Sequence, residues 1–324
     1  EGRDIVMVSR DINMRLKCDA FDIPAIDYYP HQVVKSVDKL FDGTVELKVP
    51  TETIDRFYSD KEVVINDETN ILYPNQFVLL KDENENSKKS AICKYKRSGQ
   101  ALQPINKFKN IWGFTPNNKE QQYAMDLLFD NDIHIASLIG QAGTGKTLLA
   151  TACGLEQVLN TSESNGGYNK LIITRPVQPM GRDIGFLPGS LEEKMMPWVA
   201  PIRDNLEYLF GDRTALDMQI EQGIIEIEAM TYIRGRSISN AFMIVDEAQN
   251  LTPHELKTII TRVGHNTKLV LTGDVQQIDN SYVDAESNGL TYAVEKFKNE
   301  EISGHITLKK GERSVLATIA SDIL

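Results

Sequence analysis

The chain has 324 residues, a formal net charge of −11 and 41% hydrophobic content, which is ordinary for a globular protein of two or three domains. No apolar run approaches the ~20 residues of a membrane span, and the first residues do not resemble a signal peptide. Cysteines 18, 93 and 153 are too widely spaced for a disulfide framework or a metal site, which favours the reducing cytoplasm. The negative charge weighs against a nucleic-acid partner without excluding one.

Residues 1–36 carry the pattern of one strand, Asp4–Ser9, and one helix from Asp11 to about Ala20. Ser9 or Asp11 is suited to cap that helix. One strand and one helix cannot bury a core alone. We therefore expect this zone to be the end of a truncated domain or an element that docks on its neighbours.

Residues 37–105 predict a small β-rich connecting domain. Alternation over Leu40–Val49 and short apolar runs between Asn, Asp and Gly turns are typical of a small barrel without helices. The further strands are expected at Glu62–Ile65, Gln76–Leu80 and Ala91–Lys96. Lys88–Arg97 is a basic stretch that could face RNA, or could be a solvated strand edge.

Residues 106–324 alternate strand and helix, which predicts an α/β domain with a parallel sheet and right-handed crossovers. The strands are expected at Ile133–Ile139, Lys170–Thr174, Ile224–Glu228, Ala241–Val245, Lys268–Thr272 and His305–Leu308.

A phosphate-loop pattern, G-x-x-x-x-G-K-[ST], follows the first of these strands and precedes a predicted helix. Its glycines let backbone N–H groups converge on a phosphate, and the helix dipole adds positive potential. Lys146 is expected to reach the β- and γ-phosphates, and the Thr147 hydroxyl to hold Mg²⁺. The predicted nucleotide-binding residues of the loop are Gly140, Gln141, Ala142, Gly143, Thr144, Gly145, Lys146 and Thr147.

Two acids end the strand Ala241–Val245. The carboxyl edge of a parallel sheet is where such folds bind ligands. Asp246 is expected to hold Mg²⁺ directly or through water, and Glu247 to orient or deprotonate the attacking water. The alternative is that the two acids cap the next helix.

Three further polar positions could complete the site. A Gln or Asp in Leu271–Gln277 could sense the γ-phosphate, and Gln121, in a helix capped by Thr115 or Asn117, could read adenine through its carboxamide. Arg313 could stabilise γ-phosphate charge in cis or across a subunit interface. Their plain alternatives are a strand-to-loop turn, a surface glutamine and a surface salt bridge.

Taken in order, the motifs of residues 106–324 resemble the PhoH family. Besides the phosphate loop and the segments around Gln121, Asp246 and Gln277, they are Ile173–Val177, Gly185–Gly189 and Glu312–Ser314. The resemblance implies a single RecA-type core related to superfamily 1 helicases, in ATPases linked to RNA unwinding and decay.

The resemblance also assigns roles to single residues. It implies that Gln121 is the adenine-reading glutamine, that Gln277 is the γ-phosphate sensor with Asp274 beside it, and that Thr174 and Arg175 contact nucleic acid. Residues 5–29 resemble the end of a PIN nuclease domain, with Asp11 as a metal-binding carboxylate. The other carboxylates that a PIN site needs are absent here, so we expect no nuclease activity from the chain as given.

We therefore expect three parts: a PIN-domain C-terminal fragment (1–36), a small β-barrel-like connecting domain (37–105) and a RecA-like P-loop ATPase domain with a parallel sheet (106–324). The expected function is RNA-coupled hydrolysis of ATP with Mg²⁺ that feeds a nuclease, in a homo-oligomeric ring, with a hexamer favoured. A phosphate-loop kinase is the first alternative, against which the water-activating and sensing motifs argue. A nucleotide-gated scaffold is the second, and Glu247 argues against it because a binding switch needs no catalytic base.

Overall fold

The computed structural model describes residues 5–9, 11–26, 33–34, 36–64, 72–161, 166–176, 191–230, 233 and 235–311. Its strands are β1 (Met7–Val8), β2 (Ala25–Ile26), β3 (Thr44–Val49), β4 (Val63–Val64), β5 (Phe77–Asp82), β6 (Ser90–Lys96), β7 (Ala101–Pro104), β8 (Ile135–Gly140), β9 (Lys170–Arg175), β10 (Ile225–Ala229), β11 (Ala241–Val245), β12 (Lys268–Gly273) and β13 (Ser303–Leu308). Its α-helices are α1 (Ile12–Asp19), α2 (Thr51–Asp60), α3 (Lys119–Phe129), α4 (Lys146–Leu155), α5 (Leu191–Phe210), α6 (Arg213–Glu221), α7 (Pro253–Ile260) and α8 (Gly289–Phe297).

A six-stranded parallel sheet forms the centre of the larger part, in the order β10-β9-β11-β12-β8-β13. Every residue of β8, β11 and β12 is buried, as expected for a parallel sheet covered on both faces. This confirms the predicted α/β fold with a parallel sheet. Because all the strands point the same way, the loops that follow β8, β11 and β12 meet at one edge.

Helices cover both faces of this sheet. On one face α3, α4, α5 and α6 pack through residues such as Leu127, Leu149, Leu206 and Leu216. On the other face α7 and α8 pack through Leu256, Ile259, Leu290 and Val294. No helix in the described ranges is long and apolar enough to cross a membrane.

The β-rich part is an open five-stranded sheet, in the order β3-β5-β6-β7-β4, and it contains a helix. The expectations of a part without helices and of a barrel are therefore wrong. Strands β3 and β5 pair in parallel, which requires a crossover, and α2 lies in that connection. Ile54 and Phe57 of α2 are buried in the core of this sheet. In the described residues, the edge strands β3 and β4 do not pair with each other.

The N-terminal residues form a small unit in which β1 and β2 pair in parallel beside α1. The helix begins where the sequence predicts. The carboxylate of Asp11 caps it by accepting hydrogen bonds from the backbone N–H groups of Asn13 (2.8 Å) and Met14 (3.3 Å). The strand is two residues long, shorter than the predicted Asp4–Ser9.

The β-rich sheet is fastened to the main sheet at β13. The backbone N–H of Thr307 donates to the carbonyl of Asp42 (3.0 Å), and the side-chain amide of Asn75 donates to the carbonyls of Glu301 and Ser303 (both 2.8 Å). Gly43 lies at this contact with φ of +80°, and a Cβ atom there would be 2.0 Å from the carbonyl oxygen of His305. Only glycine fits both the conformation and the space.

The variant Gly43→Ala should therefore lower the free energy of unfolding by more than the ~1–2 kcal/mol that a left-handed alanine costs, because backbone must also move. The matched control is Gly113→Ala, where φ is +79° and no atom of the described residues lies within 4 Å of the added Cβ. Chemical denaturation compares the two. Equal losses of stability in both variants would show that the close approach of Gly43 to β13 is unimportant.

A nucleotide-binding site at the carboxyl edge of the sheet

The phosphate loop connects β8 to α4 at the carboxyl edge. Gly143 and Gly145 both have φ of +82°, a conformation that favours glycine, and Gly145 is the N-cap of α4. The ammonium of Lys146 donates to the carbonyls of Gly140 (2.6 Å) and Gln141 (3.0 Å). The side chain of Lys146 therefore bridges the phosphate loop.

Asp246, at the end of β11, is 5% exposed, and one of its oxygens joins two hydroxyl groups. Its Oδ1 accepts hydrogen bonds from Thr147 of the loop (2.7 Å) and from Thr272 of β12 (2.6 Å). A carboxylate and a hydroxyl in contact are the hard oxygen ligands that suit Mg²⁺, which is commonly held by one or two carboxylates together with substrate phosphates. The described residues contain no cluster of three or more His, Cys, Asp or Glu that could hold a metal by itself.

Glu247 follows with a left-handed backbone, φ of +53° and ψ of +39°, a strained conformation of the kind that occurs at functional sites. Its side chain makes no capping hydrogen bond to the short turn that it begins. Instead, Oε1 lies 3.5 Å from Nη2 of Arg175, and Oε2 accepts a 2.6 Å hydrogen bond from the amide of Gln249. The carboxylate is thus held from two sides at the mouth of the site.

Gln249 is a buried residue whose role the sequence reasoning missed. Its amide also donates to the carbonyl of Gln277 (2.8 Å), and its oxygen accepts from the backbone N–H of Asp274 (3.1 Å). It therefore joins Glu247 to the loop after β12. The position of Gln249 in the Asp-Glu-Ala-Gln stretch is the sequence feature that points to the site. Its hydrogen-bond partners can be seen only in the fold.

The loop after β12 also contacts the phosphate loop. The carboxylate of Asp274 accepts from the backbone N–H of Ala142 (3.1 Å), and the side chain of Gln141 donates to that of Gln276 (3.4 Å). Gln277 is exposed and borders the cleft. The expected γ-phosphate sensor therefore lies beside the expected phosphate site.

These elements enclose a cleft of about 230 Å³. Its lining comprises Ala142, Gly143, Gly145, Lys146, Thr147, Leu148, Asn205, Asp246, Glu247, Gly273, Asp274 and Gln277. Asn205, from α5, was not among the predicted residues, because no local pattern marks one polar residue of a long helix as facing a site.

Gln121 does not border this cleft. It is 1% exposed, its side-chain oxygen accepts from the backbone N–H of Asn117 (2.8 Å), and its amide donates to the carbonyl of Thr144 (3.2 Å). The N-cap of α3 is Asn118, whose side chain accepts a hydrogen bond from the backbone N–H of Gln121 (2.9 Å). The predicted caps, Thr115 and Asn117, are therefore wrong.

The two residues expected to contact nucleic acid differ in position. Thr174 is fully buried, and within the described ranges its hydroxyl has no hydrogen-bond partner. Arg175 is 26% exposed beside Glu247. Arg313 and the Gly185–Gly189 motif lie outside the described residues.

Several cations of the basic stretch Lys88–Arg97 are used within the protein. Lys89 pairs with Asp55 (2.7 Å), and Arg97 donates to the carbonyl of Asn299 (2.8 Å). These contacts favour the alternative that the stretch is a strand edge with internal ion pairs over the alternative that it faces RNA.

The buried Lys94 of this stretch pairs with Asp126 and with Asp130 (2.8 Å). Burial alone would lower the pKa of Lys94, but the two carboxylates raise it above its usual value, so the side chain stays charged. Lys94 therefore links the β-rich sheet to helix α3 of the larger part.

Comparison with known proteins identifies the family. Residues 114–323 match the family model described as PhoH-like protein. The whole chain is 46% identical over 328 residues to protein PhoH2 of Bacillus subtilis and covers 73% of that protein. It is 34% identical over 325 residues to protein PhoH2 of Mycolicibacterium smegmatis and covers 71% of that protein.

Among solved structures, the Pif1 helicase from Candida albicans matches with a TM-score of 0.33 and 18% identity, over 64% of this chain and 43% of that chain. The Bacteroides Pif1 helicase in complex with ADP-AlF3 and single-stranded DNA matches with a TM-score of 0.30 and 14% identity, over 62% and 44%. Similarity at this level carries no functional argument. The family model, and the similarity of the whole chain to the PhoH2 proteins, show that the chain belongs to the PhoH family.

Proposed function

We propose that this chain is an ATPase that hydrolyses ATP in the cleft and couples hydrolysis to the binding of RNA. The observation that carries the proposal is the contact of Asp246 with Thr147 of the phosphate loop, with Glu247 next in the chain at the cleft mouth. Phosphate-binding, metal-holding and water-activating groups are thereby close together.

In this mechanism the loop N–H groups and Lys146 bind the β- and γ-phosphates. Thr147 and Asp246 would hold Mg²⁺, which would supply positive charge against the charge that develops on the phosphates. Glu247 orients the attacking water and accepts its proton, and Gln277 contacts the γ-phosphate. Gln249 keeps the carboxylate of Glu247 aimed at the cleft.

The variant Lys146→Ala should abolish measurable ATP hydrolysis and weaken nucleotide binding, because it removes the cation of the loop. Phosphate release and calorimetric binding of ATP measure the two effects. The control is Lys81→Ala, which removes a lysine from an exposed ion pair with Glu46 in the β-rich sheet. Hydrolysis at an unchanged rate in the Lys146 variant would place the activity elsewhere.

The variant Glu247→Gln should keep ATP and Mg²⁺ binding and lose about 100-fold or more in turnover, because the amide keeps the size of the side chain and cannot accept a proton. Single-turnover hydrolysis and equilibrium binding separate the effects. If binding weakens as much as turnover, Glu247 is a metal ligand or a structural residue and not the base.

Arg175 supplies the proposed link to RNA. It ends β9 at the same edge of the sheet as Glu247, and its guanidinium lies 3.5 Å from the carboxylate oxygen that Gln249 does not occupy. A guanidinium binds phosphate at least as well as carboxylate. When an RNA phosphate binds Arg175 in place of Glu247, one carboxylate oxygen of Glu247 therefore becomes available to act on water.

The variant Arg175→Met should raise ATP hydrolysis without RNA by about two- to fivefold, because a partly exposed ion pair contributes up to ~1 kcal/mol, and it should remove the stimulation by RNA. The control is Arg236→Met, which breaks a similar ion pair with Glu226 and Glu228 away from the cleft. A lower basal rate in the Arg175 variant would show that Arg175 assists catalysis and does not restrain it.

Assembly and domain organisation complete the proposal. The cleft of a single RecA-type lobe opens at its surface, and Arg313 of a neighbouring subunit is the arginine that we propose for the transition state, in a hexameric ring. The parts are residues 1–36, 37–105 and 106–324, and the resemblance of residues 5–29 supports a PIN nuclease as the domain that the ATPase serves.

A further inference from the structure

The oxygen and the nitrogen of the Gln121 carboxamide are both hydrogen-bonded to backbone groups. Its oxygen accepts from Asn117 and its amide donates to Thr144, and the residue is 1% exposed. The carboxamide has one further N–H and one further lone pair, but at 1% exposure neither faces the cleft, so the side chain would have to turn to read a base. Turning it would leave the buried C=O of Thr144 without its hydrogen bond from Gln121, which is unfavourable.

The bond to Thr144 has a direct consequence for the phosphate loop. The peptide unit between Thr144 and Gly145 is planar and trans, so its C=O and N–H groups point in opposite directions. The carbonyl of Thr144 points toward Gln121 in the protein interior. The N–H of Gly145, in the same peptide unit, therefore points in the opposite direction. Gly145 borders the cleft, so this N–H is presented to the phosphates.

The surroundings of Gly145 offer a base an apolar surface. A Cβ atom on Gly145 would lie 3.5 Å from the amide nitrogen of Gln121 and 3.8 Å from the ring of the half-buried Phe114. An aromatic ring stacks on any base, because every base has a π-face. In the described part of the chain, the polar groups that line the cleft belong to the phosphate loop, to Asn205, to Asp246 and Glu247, and to the loop after β12.

We propose that Gln121 is a positioning residue for the phosphate loop and not a reader of adenine. The site therefore recognises the triphosphate and accepts ribonucleoside triphosphates as a class, whatever their base. The proposal rests on the proposed function, since it names the substrate class of that same site.

The variant Gln121→Met tests it, because methionine keeps the volume and removes both hydrogen bonds. The kcat/KM values for ATP, GTP and UTP should all fall by the same factor, about tenfold, mostly through KM. Inorganic tripolyphosphate, which has no base, should lose affinity as a competitive inhibitor by that factor too. Gln122→Met is the matched control, because this neighbour bonds only to the carbonyl of Asn106 in the described structure (2.8 Å), away from the loop.

A loss confined to ATP, with the inhibition constant of tripolyphosphate unchanged, would overturn the proposal. The wild-type protein gives an independent test that needs no variant: its kcat/KM values for ATP and UTP should agree within about threefold, whereas a base read by a hydrogen-bonded pair would favour ATP by about tenfold or more. If the wild type hydrolyses none of the three nucleotides, the proposed function is wrong. Calorimetric binding of tripolyphosphate to the wild type and to Gln121→Met then still decides the role of Gln121.

Discussion

A single buried carboxylate oxygen, Oδ1 of Asp246, holds the nucleotide site together. It accepts from Thr147 at the start of α4 and from Thr272 near the end of β12, so three segments of the chain meet at one atom. A carboxylate that is removed from water is stable only when such donors surround it. The strand order makes this possible, because β12 lies between β8, which leads to the phosphate loop, and β11, which ends at Asp246. The orientation of Glu247 depends on the same anchor, since it is the next residue.

The parallel sheet could be predicted because its strands are continuous apolar runs. All six predicted strands are present, with ends that agree within two residues; the Ala241–Val245 prediction matches β11 at both ends. The helix α2 could not be predicted in the same way, because only Ile54 and Phe57 among its ten residues are buried and the rest read as a polar connection. Closure of the β-rich sheet depends on which edges pair, and short strands do not specify their partners.

At the site, sequence patterns identified the candidate residues of the cleft but not the contacts that hold them. The phosphate loop, Asp246 and Glu247 follow motifs of fixed spacing, and the fold brings them together. Gln249 and Asp274 contact segments that are far apart in the chain, and no local pattern marks Asn205 as a residue of the cleft. For Thr174 and Gln121 the sequence motifs suggest contacts with a ligand. In the structure both side chains are buried in the protein. A motif specifies which residue occupies a position, and the packing around it decides what that residue can touch.

The most direct measurement is a crystal structure with Mn²⁺ in place of Mg²⁺ and a non-hydrolysable ATP analogue, in which anomalous scattering locates the metal ion. We expect one peak about 2 Å from the Thr147 hydroxyl oxygen, from a metal ion bound to Asp246 directly or through one water, with the ammonium of Lys146 in contact with the phosphates. A nucleotide bound in the cleft with its metal ion far from both Thr147 and Asp246 would contradict the assignment of this carboxylate as the centre of the site.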